Sequence, residues 1–361
     1  MFKNSKFILL SALLVITTVV CGYFVIQRYQ HKIPIIKKWT ATSPYDGLKP
    51  EANNPNGIYY KNRVLVLMYH NISPTPEDST TLSVANFEKQ LELMQANNFH
   101  WISMSQYRDF ILHGASVPDN AVLLTFDDGY ESFYKYAYPL LQKYQAPASS
   151  FLIVNTLDNP KHIGMKKLTW EQVQIMHENG FDFFSHTYDS HEYAKSNASG
   201  SKKNSMLAGP MYLKDKNRKE TEAEYELRIT NDLKQANDML QQKLGVQNYV
   251  LAFPYGLFSK PLLNISKELG IDITFTVKMG INKPGQTNGF RVNAGGKSNN
   301  PDLQLSLMKH AEEKLDGVQY NEDYDTYITK SLLVLGVVFI LWLGYGWRLL
   351  RKRKHNITHI N

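Results

Sequence analysis

One cysteine in 361 residues, Cys21, excludes an internal disulfide and any metal cluster built on several thiolates. It sits in an apolar run, an unlikely setting for a catalytic thiol. Net charge is missing from the middle of the chain. The formal charge is +7, but Lys3 and Lys6 hold two of the positives, and Arg348, Arg351, Lys352, Arg353 and Lys354 hold five more at the other end. Residues 7–347 therefore sum to zero, which removes the electrostatic case for a nucleic-acid partner. No internal repeat is present, so a solenoid is not expected.

What is present at both ends is long and apolar. Phe7 to Ile26 is twenty residues without a charge, and Ser331 to Trp347 is seventeen. About twenty apolar residues cross a bilayer core, and about seventeen is the low end. The first run is longer than a signal-peptide core and has no A-x-A-like site after it. Valine before Cys21 makes a poor lipoprotein box. An uncleaved anchor is expected. "RLLRKRK" follows the second run and acidic "NEDYD" precedes it, which puts the C-terminus in the cytoplasm. Two spans return the N-terminus to the same side, although Arg28, Lys32, Lys37 and Lys38 oppose this. The expected order is a cytoplasmic N-terminus (1–6), a transmembrane anchor (7–26), an extracellular linker (27–61), a folded domain (62–310), a juxtamembrane segment (311–330), a transmembrane helix (331–347) and a basic cytoplasmic tail (348–361). The chain is thus expected to be a two-pass protein of the cell membrane with its domain outside.

From residue 63 short apolar runs alternate with helical patterns, the signature of βα units. Strands are expected at 63–69, 121–126, 148–154, 181–184, 249–253 and 272–277, with a weaker one at 290–293. Phe87, Leu91 and Met94 form one helical stripe. Thr169 and Gln172 read as a capping box, with Gly180 as the stop, and a long helix ends at Gly245. Residues 195–210 read as an inserted loop. The fold class is α/β, a distorted or incomplete (β/α)7-type barrel flanked by the two apolar helices.

In such barrels chemistry gathers past the C-terminal ends of the strands. After the first strand come Tyr69, His70 and Asn71. After the second come Asp127, Asp128, Gly129 and Tyr130. After the fourth come His186, Asp189 and His191, and after the fifth Pro254, Tyr255 and Gly256. His186 and His191 are five apart, about 140° on a helix and on opposite faces of a strand, so only a loop lets them converge. Two imidazoles and one carboxylate make a three-ligand divalent site with room for water and substrate. The other carboxylate of the Asp pair can take a proton from water. The pattern points to metal-assisted hydrolysis of an amide or ester.

"LTFDDGY", "SHTYDSH" and "FPYG", in this order, resemble the polysaccharide deacetylase family, the NodB-homology domains of carbohydrate esterase family 4. The resemblance spans about residues 62–300 and includes "VLMYHNI". The i, i+5 histidine pair and the "MYH" opening look most like the branch that deacetylates poly-β-1,6-N-acetylglucosamine in biofilm matrices. The resemblance implies Asp127 as general base and Asp128, His186 and His191 as metal ligands. It implies an oxyanion contact from the Tyr255 backbone N–H, with Pro254 shaping that turn. His70 and Tyr130, together with Pro254 and Arg291, are substrate-side candidates, and Arg291 is also placed to meet a carboxylate of the Asp pair. Two departures stand out. Ala252 occupies a place where the wider family usually has arginine, which the biofilm branch also tends to lack. The late "LxH" histidine of the family is absent, which leaves His310 as a candidate acid.

The implied cofactor is one divalent metal ion, with zinc the best match and nickel, cobalt or iron able to use the same ligands. The implied substrate is an extracellular N-acetylglucosamine polysaccharide. Peptidoglycan, chitin oligomers and acetylated xylan remain open, as does a glycan-binding module without turnover. The second apolar helix could also recruit polysaccharide synthesis machinery, although a simple anchor is the plainer expectation.

Overall fold

The computed structural model describes residues 5–29, 43–318 and 324–357. Parts of the expected linker (30–42), juxtamembrane segment (319–323) and both extreme termini, with Lys3, lie outside the described residues. The chain forms two compact units, one made by its two ends and one by Gly47–Val318.

In the first unit, helix α1 (Ser5–Tyr29) and the last helix (Tyr324–Ile357) each exceed the expected apolar run. Ser5–Ile26 and Tyr327–Arg351 are long and apolar enough to cross a membrane. They pair antiparallel. Phe7 stacks on Trp342 at 5.5 Å and Phe24 on Tyr327 at 5.4 Å, and Trp342 Nε1 donates to Ser11 Oγ at 2.9 Å.

The second unit is a curled, wholly parallel sheet of nine strands. They are β1 (Val64–Tyr69), β2 (His100–Trp101), β3 (Ala121–Phe126), β4 (Ala148–Leu152), β5 (Asp182–Ser185), β6 (Val250–Ala252), β7 (Ile273–Phe275), β8 (Asn288–Gly289) and β9 (Val292–Asn293). Their order is β8-β7-β6-β5-β4-β3-β1-β9, with β2 beside β3. The two edge strands are consecutive in the chain, joined by Phe290 and Arg291 alone. Two residues reach about 7 Å, so the sheet must curl until its edges nearly meet. Asn282 stitches the gap: it exchanges backbone hydrogen bonds with Val64, and its side chain bonds both backbone groups of Phe290. This is the incomplete barrel expected from the alternating pattern.

Side chains alternate along a strand. Val64, Val66, Ala121, Leu123, Phe151, Phe184, Val250, Ala252, Ile273 and Phe275 fill the barrel interior, capped by Tyr107, Phe110 and Ile111 of helix α2 (Met104–His113). Leu251 and Phe253 face outward onto helix α3 (Glu222–Leu244) and helix α4 (Lys260–Glu268). The helix at Val84–Ala96 buries Phe87, Leu91 and Met94, and the Thr169 and Thr221 capping boxes form, with Gly245 in the left-handed stop. At the other stop Asn179 is the cap, and Gly180 follows it at φ +85°.

Two expectations need correction. Residues 49–61 were expected in the linker, yet Tyr60 is buried, Asn120 Oδ1 accepts from Tyr59 N at 2.7 Å, and Glu51 bonds Ser306. A run of Pro, Gly and Asn looks like tether in sequence, but its polar groups are matched one by one against the barrel. Residues 195–210 are not a plain loop either. Tyr193–Lys195 pairs antiparallel with Lys203–Ser205, and Tyr212–Leu213 with Arg218–Lys219. These short ribbons lack the alternation that marks a strand half-buried in a sheet.

Phe275 is fully buried, 5.4 Å from the Tyr107 ring and 5.8 Å from the Phe151 ring. Phe275→Ala is expected to lower unfolding free energy by about 3–5 kcal/mol, read from the shift in urea midpoint.

Candidate active site

The alternation that fills the barrel also aims the site. On β1 the inward series Val64, Val66 continues to His70, and on β3 Ala121, Leu123 continues to Asp127. On β5 Phe184 continues to His186. Three polar side chains thus point into the mouth of the barrel because they keep the parity of its core.

Asp127 meets Arg291, which reaches in from the closure between β8 and β9. The guanidinium is bidentate, with Nη1 donating to Oδ1 at 2.6 Å and Nη2 to Oδ2 at 2.8 Å, while Nε donates to the Thr276 carbonyl at 2.9 Å. Both residues are buried, Arg291 completely. Burial pushes the Asp127 carboxyl up, but Arg291, with His186 and His70, outweighs it and holds the pKa below the usual carboxylate range. Asp127 is therefore ionised at neutral pH. A carboxylate has about four lone-pair sites, so two stay free for a proton donor. His70, less buried, places Nε2 3.9 Å from Asp127 Oδ2.

Asp128 follows at φ +73°, a left-handed turn that breaks the alternation and brings its carboxylate into the mouth beside Asp127. Its Oδ1 lies 3.5 Å from His186 Nε2 and 3.3 Å from His191 Nε2, and it is buried without a hydrogen-bond partner. An orphaned buried carboxylate oxygen is costly. Tetrahedral ligands at about 2.0–2.1 Å from a metal lie about 3.3–3.4 Å apart; the two carboxylate–imidazole separations match this, and all three donor atoms lie within 4.8 Å of one another, close enough to hold a divalent cation. His186 Nδ1 donates to the Ala252 carbonyl at 2.7 Å, which fixes the tautomer and leaves the Nε2 lone pair facing Asp128. Burial first, and then His191, push the His186 pKa down to about 4 against the pull of Asp127 and Asp128, so the ring is neutral. His191 reaches the same point through the expected loop. Thr187 adopts φ +88° there, a rare state for a β-branched residue.

The structure also places the remaining candidates. Tyr255 is left-handed at φ +58°, followed by Gly256 at φ +66°, where an added Cβ would stand 2.5 Å from Val277 N. Its hydroxyl donates to the His191 carbonyl at 3.2 Å. Tyr130 is half-buried in the cleft. Two substrate-side expectations are corrected: Arg291 and Pro254 are buried. Arg291 serves Asp127 and supplies a guanidinium from the last edge of the sheet, while position 252 is alanine. The candidate acid His310 is placed elsewhere. It bonds Glu51 at 2.9 Å and faces Glu313. Six residues on, Asp316 pairs with Arg63, which precedes β1. His310 therefore stands at the N-terminal end of the barrel, because the helix at Pro301–Lys309 runs back from the site end.

Two residues escaped the sequence reading. Asp232 on α3 accepts from Tyr188 N, Asp189 N and Ser190 Oγ at 3.0, 2.9 and 2.7 Å, and so clamps the loop between the two histidines. Its signal was a carboxylate on the apolar stripe of Tyr225, Ile229, Leu233 and Ala236. Lys167 donates to the Asp128 carbonyl at 2.9 Å and lies 3.8 Å over the Tyr130 ring. Burial pushes its pKa down to about 8, opposed by Asp128. No pattern singled it out.

Removing one member of a buried ion pair leaves an unpaired charge, at a cost of about 3–5 kcal/mol. Arg291→Met is expected to lose that much stability at pH 7 in urea unfolding. The loss should shrink in acid, where the freed Asp127 takes up a proton.

The site opens into a cleft of ≈ 460 Å³ lined by Asp128, Tyr130, Lys167, His191 and Glu192 among others. A second hollow of ≈ 540 Å³ shares Asn155, Asn159 and Lys161 with it.

Known proteins place this architecture. The family model described as polysaccharide deacetylase matches residues 114–274. The poly-β-1,6-N-acetyl-D-glucosamine N-deacetylase of Escherichia coli (strain K12) is 31% identical over 284 residues, covering 73% of this chain and 42% of that protein. The chain thus spans less than half the length of that relative. The protein of the same name from Staphylococcus epidermidis is 27% identical over 256 residues, covering 66% of this chain and 81% of that one. A solved de-N-acetylase from Aggregatibacter actinomycetemcomitans superposes with a TM-score of 0.62 at 25% identity, covering 68% of this chain and 99% of that one. With the motif residues converged at the mouth of a curled parallel sheet, the chain carries a polysaccharide deacetylase domain, of the NodB-homology type of carbohydrate esterase family 4.

Proposed function

We propose that the protein is a membrane-anchored, divalent-metal-dependent hydrolase that removes N-acetyl groups from an extracellular N-acetylglucosamine polymer. Poly-β-1,6-N-acetylglucosamine is the substrate that the names of its relatives favour. The observation that carries the reading is the convergence of the Asp127–Arg291 pair with Asp128, His186 and His191 beneath an open groove. An open groove suits a polymer, which enters from the side.

Asp128, His186 and His191 would hold the cation, zinc being the best match to one carboxylate and two imidazoles and nickel, cobalt or iron the alternatives. Such a cation polarises the acetyl carbonyl and acidifies the attacking water. Asp127, ionised and fixed by Arg291, takes the proton of the water as its oxygen bonds to the carbonyl carbon. The Tyr255 N–H, carried by the left-handed turn, donates to the developing oxyanion. His70 stands beside Asp127 with its ring partly exposed, the place for the acid that protonates the leaving nitrogen. The C–N bond then breaks to give acetate and a free amine.

The antiparallel helix pair supports a two-pass anchor. It brings Lys6 and the basic segment from Arg348 to the same end, the cytoplasmic one by the positive-inside rule.

The test uses detergent-solubilised full chain, stripped by chelator and reloaded with zinc, nickel or cobalt, with acetate release from β-1,6-linked N-acetylglucosamine oligomers as readout. Metal should restore release. Asp127→Asn and His70→Ala should each slow it by about 10²–10⁴-fold, and a wild-type rate in Asp127→Asn would refute the mechanism. For topology, a cysteine introduced at His355 in a Cys21→Ser background should resist impermeant thiol reagents in intact cells.

A further inference from the structure

From His191 two more rings climb out of the site. The Tyr255 ring lies 4.8 Å from the His191 ring, and the Tyr193 ring lies 4.2 Å beyond that, at 28° to it, stacked. Tyr193 is 47% exposed and Tyr255 36%, so this pair faces solvent rather than the core. Tyr193 opens the ribbon formed with Lys203–Ser205 and stands next to Glu192, which lines the cleft. Tyr255 is held there by a backbone state that disfavours any side chain. Two large rings kept in water at the mouth of a polar groove gain little for folding.

We infer that Tyr193 and Tyr255 form a stacking shelf for a pyranose ring, the sugar next to the one being deacetylated, with the ribbon serving as its carrier. A sugar ring presents an apolar C–H face that matches an aromatic face, while its hydroxyls stay in water. The occupant follows from continuity: the cleft wall ends on His191 and Glu192, the His191 ring touches Tyr255, and Tyr193 follows Glu192 in the chain, so a polymer seated over the metal ligands passes across the shelf. Tyr193 is a specificity-determining residue in this account, because it selects for a neighbouring sugar and touches no reacting atom. The inference rests on the polysaccharide reading of the site.

The test separates the shelf from the chemistry. Tyr193→Leu keeps apolar bulk on the ribbon but removes the ring face, and Tyr193→Trp restores a face. Full-chain protein loaded with zinc is titrated calorimetrically with a β-1,6-linked glucosamine pentamer, which holds no acetyl group. It is also assayed on an N-acetylated pentamer and on 4-nitrophenyl acetate. Tyr193→Leu should weaken pentamer binding and raise the KM for the acetylated pentamer about tenfold, the scale of one aromatic contact. Bound zinc and hydrolysis of the small ester should match wild type, and Tyr193→Trp should recover pentamer affinity. Wild-type pentamer affinity in Tyr193→Leu would overturn the shelf. Parallel loss of zinc and of small-ester hydrolysis would overturn it too, by showing that the ring only braces the His191 loop. Pentamer binding that depends on Tyr193, with no acetate released by wild type, would keep the shelf and overturn the deacetylase reading.

Discussion

A buried guanidinium on a buried carboxylate is the interaction on which the rest of this domain turns. Neither Asp127 nor Arg291 has water to fall back on, and each is tolerable inside only because the other is there. Arg291 lies in the two-residue link between the edges of the sheet, so it can reach Asp127 only when the barrel has curled nearly closed. Closure and the setting of the Asp127 carboxylate are thus one event. The Nε contact to the Thr276 carbonyl fixes the fork from the side of β7.

Around that pair the backbone is held in states it would not choose freely. Asp128, Thr187 and Tyr255 all have positive φ, and each belongs to a different motif loop. Such residues cost of order 1–3 kcal/mol each. The loops tolerate this because the rest of the structure fixes them: Lys167 on the Asp128 carbonyl, Asp232 beneath the histidine loop, and Gly256 against Val277. What the strain achieves is directional. Regular strand ends would spread alternate side chains to opposite faces, whereas these turns bring a carboxylate and a second imidazole to the point that His186 already reaches.

The cleft at the mouth shares lining residues with a second hollow, and exposed rings stack beside His191. The two terminal helices are long and apolar enough to cross a membrane, and they pair antiparallel.

Much of this was legible in the sequence for a simple reason. Strands that line a barrel are short, apolar and followed by the residues they deliver, so His70, Asp127, Asp128, His186 and His191 could be read as strand ends without knowing how the strands pair. The capping box at Thr169 is equally local. What the sequence could not settle depends on contacts between residues far apart along the chain. Arg291 and Asp127 are 164 residues apart, and Asp232 reaches its loop across 44. His310 looked suitable by chemistry and order, yet the return of its helix carries it to the opposite end of the barrel. The linker residues that bind Asn120 and Ser306 look like tether because turn chemistry is the same whether water or protein accepts the hydrogen bonds. The sequence by itself determined which residue types stand at the strand ends and hence the chemistry open to them. Only the tertiary structure decided which of them share a point in space, because side-chain convergence depends on sheet curvature and closure, and neither is a local property of the chain.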